Sequence, residues 1–474
     1  MEALQRLHNR GSISTGYEID NSIKLEDDND EFLTRTNASG TNRKTWTVSV
    51  WFKQTELASM RNSYTEIWDG GVFGEGTRMG MDNTDRFWID IGGGTGNTGT
   101  NYRNFSTLKL RDTSAWYHLV VALDTTQSTA ANRLKVWLNG TEITAWDQQQ
   151  IPAQNYQCAV EAGVTMTWGA YNATYHGFSG YLAECNYVDG VTATQNDFGE
   201  YDDDSGIWKP KEYTGSYGTN GCYLDFELSS DLGANAKGND VNFTLNNITA
   251  ADQATDTPTN NFTTFNIIRR YNQDRISFTE GGTVVNTTSG NTWTTVFNTM
   301  AVNKGKWYWE GELYTNEGLQ MFGQTPQPWT EININIDWYL GQRSDKQNGA
   351  GYYGSGDDVY YEATYANSSA STTGDIISVA MDCDNNKVHF AVNGVYTNSS
   401  NPVNNTNGFA MLDDYQYFAM ATYIGSYALK ANFGGYTTIS ISSAASDENG
   451  YGTFEYAPPS GYYALCTKNL EEFG

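Results

Sequence analysis

The alternation of apolar residues with other residues constrains the fold of this chain more than any other feature of its sequence. It is clearest in residues 45–52, where an apolar side chain stands at every even position: Trp46, Val48, Val50 and Phe52. A period of two places these side chains on one face of a β-strand. Such a strand joins a sheet and buries that face, so the pattern predicts an all-β protein.

Two of the predicted strands run directly into an Asn-Gly pair. Asn and Gly both tolerate positive φ, which makes this pair the strongest short signal for a tight β-hairpin. Each strand also follows an apolar strand and an acidic loop, so the sequence predicts one architectural plan used twice. The two strands with their turns are 134–138 with Asn139-Gly140, and 387–392 with Asn393-Gly394.

The length of 474 residues requires more than one hydrophobic core. A single core stops growing at about 250–300 residues, and helical patterns are nearly absent, so we predict two antiparallel β-sandwiches in tandem. Only the first ten or so residues are compatible with a short helix. The predicted segments are an N-terminal attachment segment (1–13), a first sandwich (14–249), a connector or ordered loop (250–266), a second sandwich (267–459) and a C-terminal tail (460–474).

The charge balance limits the partners that we expect. The chain has 28 Lys and Arg against 55 Asp and Glu, which gives a formal net charge of −27. Such a field repels nucleic-acid phosphates and anionic membrane surfaces, so neither is an expected partner. The first ten residues lack the apolar core of a secretory signal, and no segment approaches 18 apolar residues in a row. We therefore expect synthesis in a cytosol and no insertion into a membrane.

Four segments of the first half resemble the laminin G-like branch of the concanavalin A-like lectin/glucanase superfamily. The resemblance implies a two-sheet sandwich of the concanavalin A-like or jelly-roll type. In chain order the segments are WTVSVWFK at 46–53, WYHLVV at 116–121, LKVWLNG at 134–140 and GFSGYLAE at 177–184.

Four segments of the second half resemble a SPRY domain. A SPRY domain is also a bent sandwich of two sheets, so this resemblance implies a second sandwich of the same broad shape. The segments are KGKWYWE at 304–310, GDIISVAMD at 374–382, FAVNG at 390–394 and NFG at 432–434.

Three further segments are similar to a recurrent arrangement in virion proteins of marine tailed phages: 197–226, 255–262 and 459–466. The similarity implies a non-enzymatic structural protein of the virion surface, in a tail or capsid fibre or a capsid decoration, made in the host cytoplasm. It implies other virion proteins as partners, a homo-oligomer, and adhesion to host-surface glycans. A glycan-cleaving depolymerase and a purely architectural capsid cement protein are the alternatives.

A catalytic carboxylate pair is not expected, although the superfamily includes glucanases. Retaining cleavage needs two carboxylates about 5–5.5 Å apart, which a Glu-x-Asp-x-(x)-Glu strand provides. Glu18 and Asp20 begin such a run, but Ser22 and Ile23 stand where the second Glu belongs, and Glu26 is too far along. We therefore predict no catalytic residues, and we interpret the run as an ordinary edge strand.

Metal sites are not predicted with a defined ligand set, and no cofactor is expected. A rim loop at 231–235, with Asn239 and Asp240, offers hard oxygen ligands that suit Ca²⁺, but its spacing fixes no coordination. The acidic runs Asp202-Asp203-Asp204 and Asp357-Asp358 are interpreted as solvated loops. No two histidines have zinc spacing (His8, His118, His176 and His389), and the cysteines are interpreted as buried thiols (Cys158, Cys185, Cys222, Cys383 and Cys466).

Aromatic residues exceed what two cores require, with 14 Trp and 32 Tyr in the chain. Aromatic rings stack on sugar rings and are enriched at protein interfaces, so a carbohydrate or protein contact surface is one interpretation. Burial in large sandwiches and contacts between virion subunits are the other. The residues that we place in loops are Trp68, Trp146, Tyr175, Trp329, Trp338, Tyr352, Tyr353, Tyr360 and Tyr361.

Overall fold

A computed structural model of the chain shows two compact units, residues 1–260 (unit 1) and 261–474 (unit 2). The prediction of an all-β protein with two tandem antiparallel sandwiches of the jelly-roll type is confirmed. The predicted attachment segment 1–13 lies outside the described residues. The structure describes residues 16–38, 42–71, 76–93, 101–160, 163–171, 176–238, 241–270, 275–288, 290, 292–314, 319–326, 339–347, 349–366, 370–423 and 425–474.

Unit 1 contains two large sheets and a short hairpin, all with antiparallel pairing. The first sheet consists of β1 (Ser22–Leu25), β3 (Thr45–Gln54), β8 (Tyr117–Asp124), β9 (Leu134–Leu138), β10 (Thr141–Glu142), β13 (Gly180–Asp189), β16 (Cys222–Leu224), β17 (Lys237–Gly238) and β19 (Gln253–Ala254). The second consists of β2 (Phe32–Thr36), β4 (Thr65–Asp69), β5 (Thr77–Met81), β6 (Arg86–Ile91), β7 (Tyr102–Lys109), β11 (Trp146–Gln148), β12 (Thr165–Trp168) and β18 (Thr244–Asn246). The hairpin is β14 (Gly199–Tyr201) with β15 (Trp208–Pro210).

The alternating residues of β3 form the centre of the unit 1 core. Trp46, Val48, Val50 and Phe52 are fully buried, as the period of two predicts. They face side chains of the second sheet, where the rings of Trp46 and Trp68 lie 5.6 Å apart. The space between the two sheets is therefore a continuous apolar layer, as in other face-to-face sandwiches.

Unit 2 repeats the arrangement with two further sheets. The third sheet consists of β20 (Phe265–Arg270), β23 (Thr294–Asn298), β25 (Gln320–Pro326), β26 (Ala350–Tyr353), β27 (Asp358–Tyr361), β28 (Thr364–Ala366) and β33 (Gln416–Thr422). The fourth consists of β21 (Ile276–Thr279), β22 (Val284–Thr287), β24 (Lys306–Glu312), β29 (Ile376–Asp382), β30 (Lys387–Val392), β31 (Val395–Tyr396), β32 (Phe409–Ala410), β34 (Ala428–Asn432) and β35 (Tyr463–Ala464).

Trp309 of β24 is the central side chain of the unit 2 core. It is fully buried, and its ring lies 5.7 Å from Phe418 and 6.5 Å from Phe322, both in the third sheet. The two sheets therefore pack face to face across this tryptophan. Among the described strands of unit 2, pairing is antiparallel apart from the parallel pair between β24 and β35.

Both Asn-Gly hairpins form as predicted. Asn139 and Gly140 have φ of 46° and 76°, and Asn393 and Gly394 have φ of 48° and 76°. Each Asn side chain also accepts a backbone hydrogen bond from the strand paired with the one before the turn: from His118 N of β8 at 2.7 Å and from Ile376 N of β29 at 2.9 Å. The two turns therefore have the same backbone conformation and the same side-chain hydrogen bond.

Residues 250–266, predicted as a connector, are divided between the two units. β19 pairs with β1, and the Asp256 carboxylate binds Lys53 Nζ at 2.7 Å and Trp116 Nε1 at 3.0 Å, all buried in unit 1. Residues 460–474, predicted as a tail, belong to the sandwich of unit 2. There β35 pairs with β24, and Tyr462 is fully buried.

Helices are short throughout the described ranges. The α-helices there are α1 (Ala58–Arg61) and α2 (Thr467–Phe473), and the 3-10 helices are Asp27–Asn29, Ala130–Asn132, Gln195–Asp197, Ala250–Asp252 and Thr397–Ser399. Within those ranges, no helix has the length and apolar character needed to span a bilayer.

Candidate functional site

The outer face of the third sheet carries a cluster of aromatic rings, which we call the tyrosine surface. Its rings surround a small apolar patch that contains Met321, Leu340, Ala419 and Ala421. Most of the rings are half-buried, but Trp293 is nearly buried and Tyr365 is 63% exposed. The tyrosine surface consists of Trp293, Tyr339, Tyr353, Tyr360, Tyr365, Tyr417 and Tyr423.

Alternation along the strands places these rings on the outer face. In β25, Phe322 points inward to Trp309, so its neighbour Met321 points outward. Met321 lies opposite Tyr353 in β26, and Tyr360 in β27 lies opposite Tyr365 in β28. Three adjacent strands therefore present their tyrosines to the same side of the sheet.

The rings are in contact with one another. Trp293 and Tyr339 stack with their centroids 4.5 Å apart, and Tyr339 lies 5.6 Å from Tyr360. Tyr365 lies 4.6 Å from Tyr360 and 5.9 Å from Tyr353. These distances fall in the range of favourable aromatic pairs, so the rings support one another as a continuous surface.

Small residues lower the middle of this face. Gly323 of β25 and Gly351 of β26 lie directly opposite each other, so two strands contribute no side chain there. Leu340 occupies the depression, because a Cβ added at Gly351 would stand 2.9 Å from the Leu340 side chain. The tyrosine rings therefore rise around a shallow floor of small and aliphatic residues.

The phenol hydroxyl groups of Tyr339, Tyr353 and Tyr365 stay protonated near neutral pH. Burial raises the pKa of Tyr339, Tyr353 and Tyr365 above the usual value of 10. Protonated phenols donate and accept hydrogen bonds, and the rings offer flat apolar area beside them. This combination suits the stacking of a sugar ring together with hydrogen bonds to its hydroxyl groups.

The loop placement of the predicted aromatic residues is wrong for every one of them that the structure describes. Trp68, Trp146, Tyr352–Tyr353 and Tyr360–Tyr361 all lie in strands. Adjacent residues of a strand point to opposite faces, so only Tyr353 and Tyr360 reach the tyrosine surface. Trp68 and Tyr352 are fully buried, and Tyr361 contacts Phe409 at 5.5 Å. Tyr175, Trp329 and Trp338 lie outside the described residues.

The three carboxylates of the sequence run, Glu18, Asp20 and Glu26, lie in different environments. Glu18 and Asp20 are exposed in a segment that precedes β1, whereas Glu26 is buried and accepts a 2.8 Å hydrogen bond from Ser179 Oγ. Ser22 Oγ donates to the Asp256 carbonyl, and Ile23 lies in the core. The interpretation of β1 as an edge strand is wrong, because β1 lies between β13 and β19.

The predicted solvated loops are stabilised by their own carboxylates. Asp202 Oδ1 accepts from Ser205 N at 2.9 Å, and this bond together with Lys209 lowers the pKa of Asp202 to about 2. Asp357 Oδ1 accepts from Ser371 N at 2.7 Å and Oγ at 2.8 Å. Asp202 therefore orders its own turn, whereas Asp357 joins its turn to the segment that contains Ser371.

The candidate Ca²⁺ loop likewise uses its polar groups within the protein. Asp231 Oδ2 accepts from Asn242 Nδ2 at 2.7 Å, and Asn235 Oδ1 accepts from Tyr223 N at 3.0 Å. Asn239 and Asp240 lie outside the described residues. Among the residues that are described, no three His, Cys, Asp or Glu side chains form a group that could hold a metal ion.

His118 lies next to a serine but cannot act on it as a base in this arrangement. Its Nε2 is 2.9 Å from Ser49 Oγ, and its Nδ1 is 2.9 Å from Trp208 Nε1. An indole N–H only donates, so Nδ1 is the acceptor and Nε2 carries the proton. Burial lowers the pKa of His118 to about 3, which keeps the ring neutral. The prediction of a satisfied core histidine is confirmed.

The other described histidines lie in different units, and the cysteines are free thiols. His389 is buried in unit 2 beside Asn405, His176 is half-buried in unit 1, and His8 lies outside the described residues. The prediction of buried thiols is confirmed for Cys158, Cys185, Cys222, Cys383 and Cys466.

No protein-family model matches the chain, and no curated protein matches it. Among solved structures, the SPRY domain of human HERC1 is similar to 33% of this chain over 92% of its own length, with 15% identity and a TM-score of 0.25. A heptameric SAP-like pentraxin from Limulus polyphemus is similar to 44% of this chain over 94% of its own length, with 15% identity and a TM-score of 0.29. The fold assignment rests on the sheets described above.

Proposed function

We propose that this chain is a non-enzymatic structural protein on the surface of a bacteriophage particle, where it attaches the particle to glycans of the host cell. The tyrosine surface of unit 2 carries the adhesive part of the proposal. Its rings are in mutual contact, partly exposed and supplied with protonated hydroxyl groups. Sugar rings bind such surfaces through stacking and hydrogen bonds.

The virion part of the proposal rests on the sequence resemblance at 197–226, 255–262 and 459–466. The net charge of −27 supports it as well, because it disfavours nucleic acid and anionic lipid as ligands. Other virion proteins and further copies of this chain are the expected neighbours in the particle.

Binding to immobilised host-surface polysaccharide tests the adhesive role. The variant with Tyr360→Ala and Tyr365→Ala removes two rings of the tyrosine surface, and we expect its affinity to fall by about tenfold or more. Tyr415→Ala is the matched control, because Tyr415 is 49% exposed in the same unit but lies outside the surface. Equal affinities of the wild type and the double variant would exclude the tyrosine surface as the binding site.

Two further measurements separate the alternatives. Release of reducing sugar from the polysaccharide would identify a depolymerase, and failure of the wild-type chain to bind any host polysaccharide would leave the cement role. Mass spectrometry of purified particles of the encoding phage should detect the polypeptide. Its absence from the particles would rule out the virion assignment.

A further inference from the structure

Two lysines lie buried on the outer face of the first sheet, in unit 1. Lys24 of β1 and Lys53 of β3 stand on either side of Tyr181 in β13, which is opposite both of them in the register. Ile23 and Leu25 of β1 point into the core, so this row lies on the other side of the sheet. The lysines are 1% and 0% exposed. A charge is costly to take out of water, so a buried ammonium group needs specific partners.

The segment 249–256 supplies an aspartate to each lysine. Asp252 Oδ1 lies 2.9 Å from Lys24 Nζ, and Asp256 Oδ2 lies 2.7 Å from Lys53 Nζ. The aspartate side chains are 8% and 1% exposed. This face of the sheet therefore carries two buried Lys–Asp pairs that can be compared directly.

The neighbouring group differs between the two pairs. At Lys24 it is a second carboxylate, because Glu31 Oε1 and Oε2 lie 3.0 Å and 2.9 Å from Nζ and the Glu31 side chain is 5% exposed. At the other pair it is an indole, because Trp116 Nε1 donates to Asp256 Oδ1 at 3.0 Å. A carboxylate can take up a proton and release it, whereas an indole N–H only donates a hydrogen bond. The amine of Lys24 is thus in contact with a group that can transfer protons.

The carboxyl group of Asp252 is held from its other side by Thr249. The backbone N–H of Thr249 donates to Asp252 Oδ2 at 2.8 Å, and its hydroxyl group donates to the same oxygen at 3.1 Å. Cγ is one bond from Oδ1, so a small rotation of the carboxyl group brings it to the roughly 3–3.5 Å from Nζ that a near-attack arrangement requires. Two donors aimed at Oδ2 also stabilise the negative charge that develops there when a nucleophile adds to Cγ.

Burial makes the ionised form of this cluster costly. Burial raises the pKa of Glu31 although the nearby Lys24 ammonium opposes the shift, so Glu31 accepts a proton from Nζ more readily than an exposed carboxylate does. Lys24 is then a neutral amine, whose lone pair can add to a carboxyl carbon. An amide between Lys24 and Asp252 would replace a buried ammonium and a buried carboxylate by one neutral group, which removes their desolvation cost.

We propose that Lys24 and Asp252 are joined by an isopeptide bond, which forms within unit 1 with Glu31 as the catalytic acid and base. Nζ adds to Cγ, Glu31 carries two protons in turn from Nζ to Oδ1, and the Cγ–Oδ1 bond breaks. The ammonium and the carboxylate thereby become one amide and one water molecule, and Glu31 returns to its starting state. Oδ2 remains as the carbonyl oxygen of the amide and still accepts from Thr249 N.

The bond would connect the beginning of unit 1 to its end. Within the described residues, Lys24 lies in the first strand of the unit and Asp252 directly precedes the last one, β19. A pull applied across unit 1 then passes from Lys24 to Asp252 through covalent bonds, and the cross-link also restricts the unfolded chain as a disulfide does. This mechanical role is independent of the ligand that the tyrosine surface binds.

Intact-mass spectrometry of the denatured full chain tests the bond. We expect the wild type to be lighter than its sequence by one water molecule, and tandem spectrometry of a tryptic digest to show a branched peptide that joins Lys24 to Asp252. Lys24→Arg, Asp252→Ala and Glu31→Gln should each have the full mass of their sequences. Glu142→Gln is the matched control and should keep the water loss, because Glu142 pairs with Lys135 on the exposed edge of the first sheet.

Each outcome decides the inference. A wild-type mass equal to that of its sequence overturns it whether or not any variant folds, as does a water loss located elsewhere, such as a succinimide at Asp69-Gly70. A second link between Lys53 and Asp256, or complete linkage in Glu31→Gln, overturns the role of Glu31. Near-ultraviolet circular dichroism of Glu31→Gln confirms that its fold is retained. None of these results alters the test of the proposed adhesion, which depends on unit 2.

Discussion

One outer face in each unit is covered by opposite chemistry. In unit 1, Asp69, Arg78, Asp90 and Arg103 lie opposite one another across β4, β5, β6 and β7, a row that we call the charge ladder. In unit 2 the face is the tyrosine surface. In the ladder the register pairs buried carboxyl groups with arginines, so that Asp90 lies between Arg78 and Arg103. The tyrosine surface uses uncharged rings whose contacts depend on area. Removal of one member of a buried ion pair leaves its partner charge buried and unpaired, which costs much stability. Removal of one ring loses only the apolar area that the ring buried. Single substitutions should therefore destabilise unit 1 more than unit 2.

The largest difference in stability loss between the two units is expected when one arginine is removed from each. Arg78→Met leaves the buried carboxyl groups of Glu66 and Asp90 without their shared cation, and we expect unit 1 to lose about 3–5 kcal/mol of unfolding free energy. Arg343→Met removes a pair with Asp345 in which both side chains are more than 40% exposed. We expect less than about 1 kcal/mol in unit 2.

Hydrogen exchange followed by mass spectrometry measures the two losses separately, in peptides from β4–β6 and from β25–β28. The loss in Arg78→Met should shrink in acid, because burial and the nearby Asp69 and Asp90 raise the pKa of Glu66 well above its usual value. A protonated, neutral Glu66 carries no charge for Arg78 to neutralise, so loss of the arginine costs less. Equal losses in the two units at neutral pH would contradict the comparison.

The pH dependence of stability should also differ between the units. Burial, with Glu26 and Asp28 nearby, raises the pKa of Glu56 in unit 1 to about 8, and burial raises that of Glu184 to about 7. In unit 2 burial raises the pKa of Glu310, but the backbone amides of Glu455 and Tyr456 oppose the shift.

A carboxyl group whose folded pKa is raised stabilises the fold fully below its unfolded pKa, near 4.5, and this stabilisation is lost as the pH rises through the folded value. The unfolding free energy of unit 1 should therefore fall between about pH 5 and pH 8, and more steeply than that of unit 2. Glu56→Gln should regain about 2 kcal/mol at pH 8.5, measured by urea unfolding, while Glu142→Gln should change little. A flat profile for unit 1 would show that its buried carboxyl groups are better solvated than the structure indicates.

Local patterns in the sequence were sufficient to predict the strands and the hairpins. The period of two at 45–52 and the Asn-Gly pairs specify their structure within a few residues, because face and turn depend on neighbouring positions. The same period could have placed Tyr352–Tyr353 and Tyr360–Tyr361 in strands with one ring outward and one inward. Their positions beside Gly and Asp residues favoured loops instead.

The charge ladder could not be predicted from the sequence. Asp69, Arg78, Asp90 and Arg103 are separated by 9 to 13 positions and meet only through the register of four strands, which bulges at Glu66 and Trp88 alter. From the sequence alone, each of these residues would be assigned to the solvent-facing side of a half-buried strand. What distinguishes them, the ion pairs of Arg78 with the buried carboxyl groups of Glu66 and Asp90, exists only in the folded protein.

The smallest difference in stability loss between the two units is expected at the Asn-Gly hairpins, whose geometry is the same in both. Asn139 and Asn393 both have φ near 47°, and each side chain accepts one backbone hydrogen bond from the neighbouring strand, β8 or β29. Replacement of either by Ala removes that bond, and Ala tolerates positive φ less well than Asn, so each change should cost about 1–2 kcal/mol. Hydrogen exchange in β9 and in β30 measures the two costs, with Asn→Gly at the same positions as the control that keeps the turn conformation accessible. Because the turns match in geometry while the outer faces do not, the costs should agree within about 0.5 kcal/mol, and a larger gap would show that packing around the hairpin differs between the units.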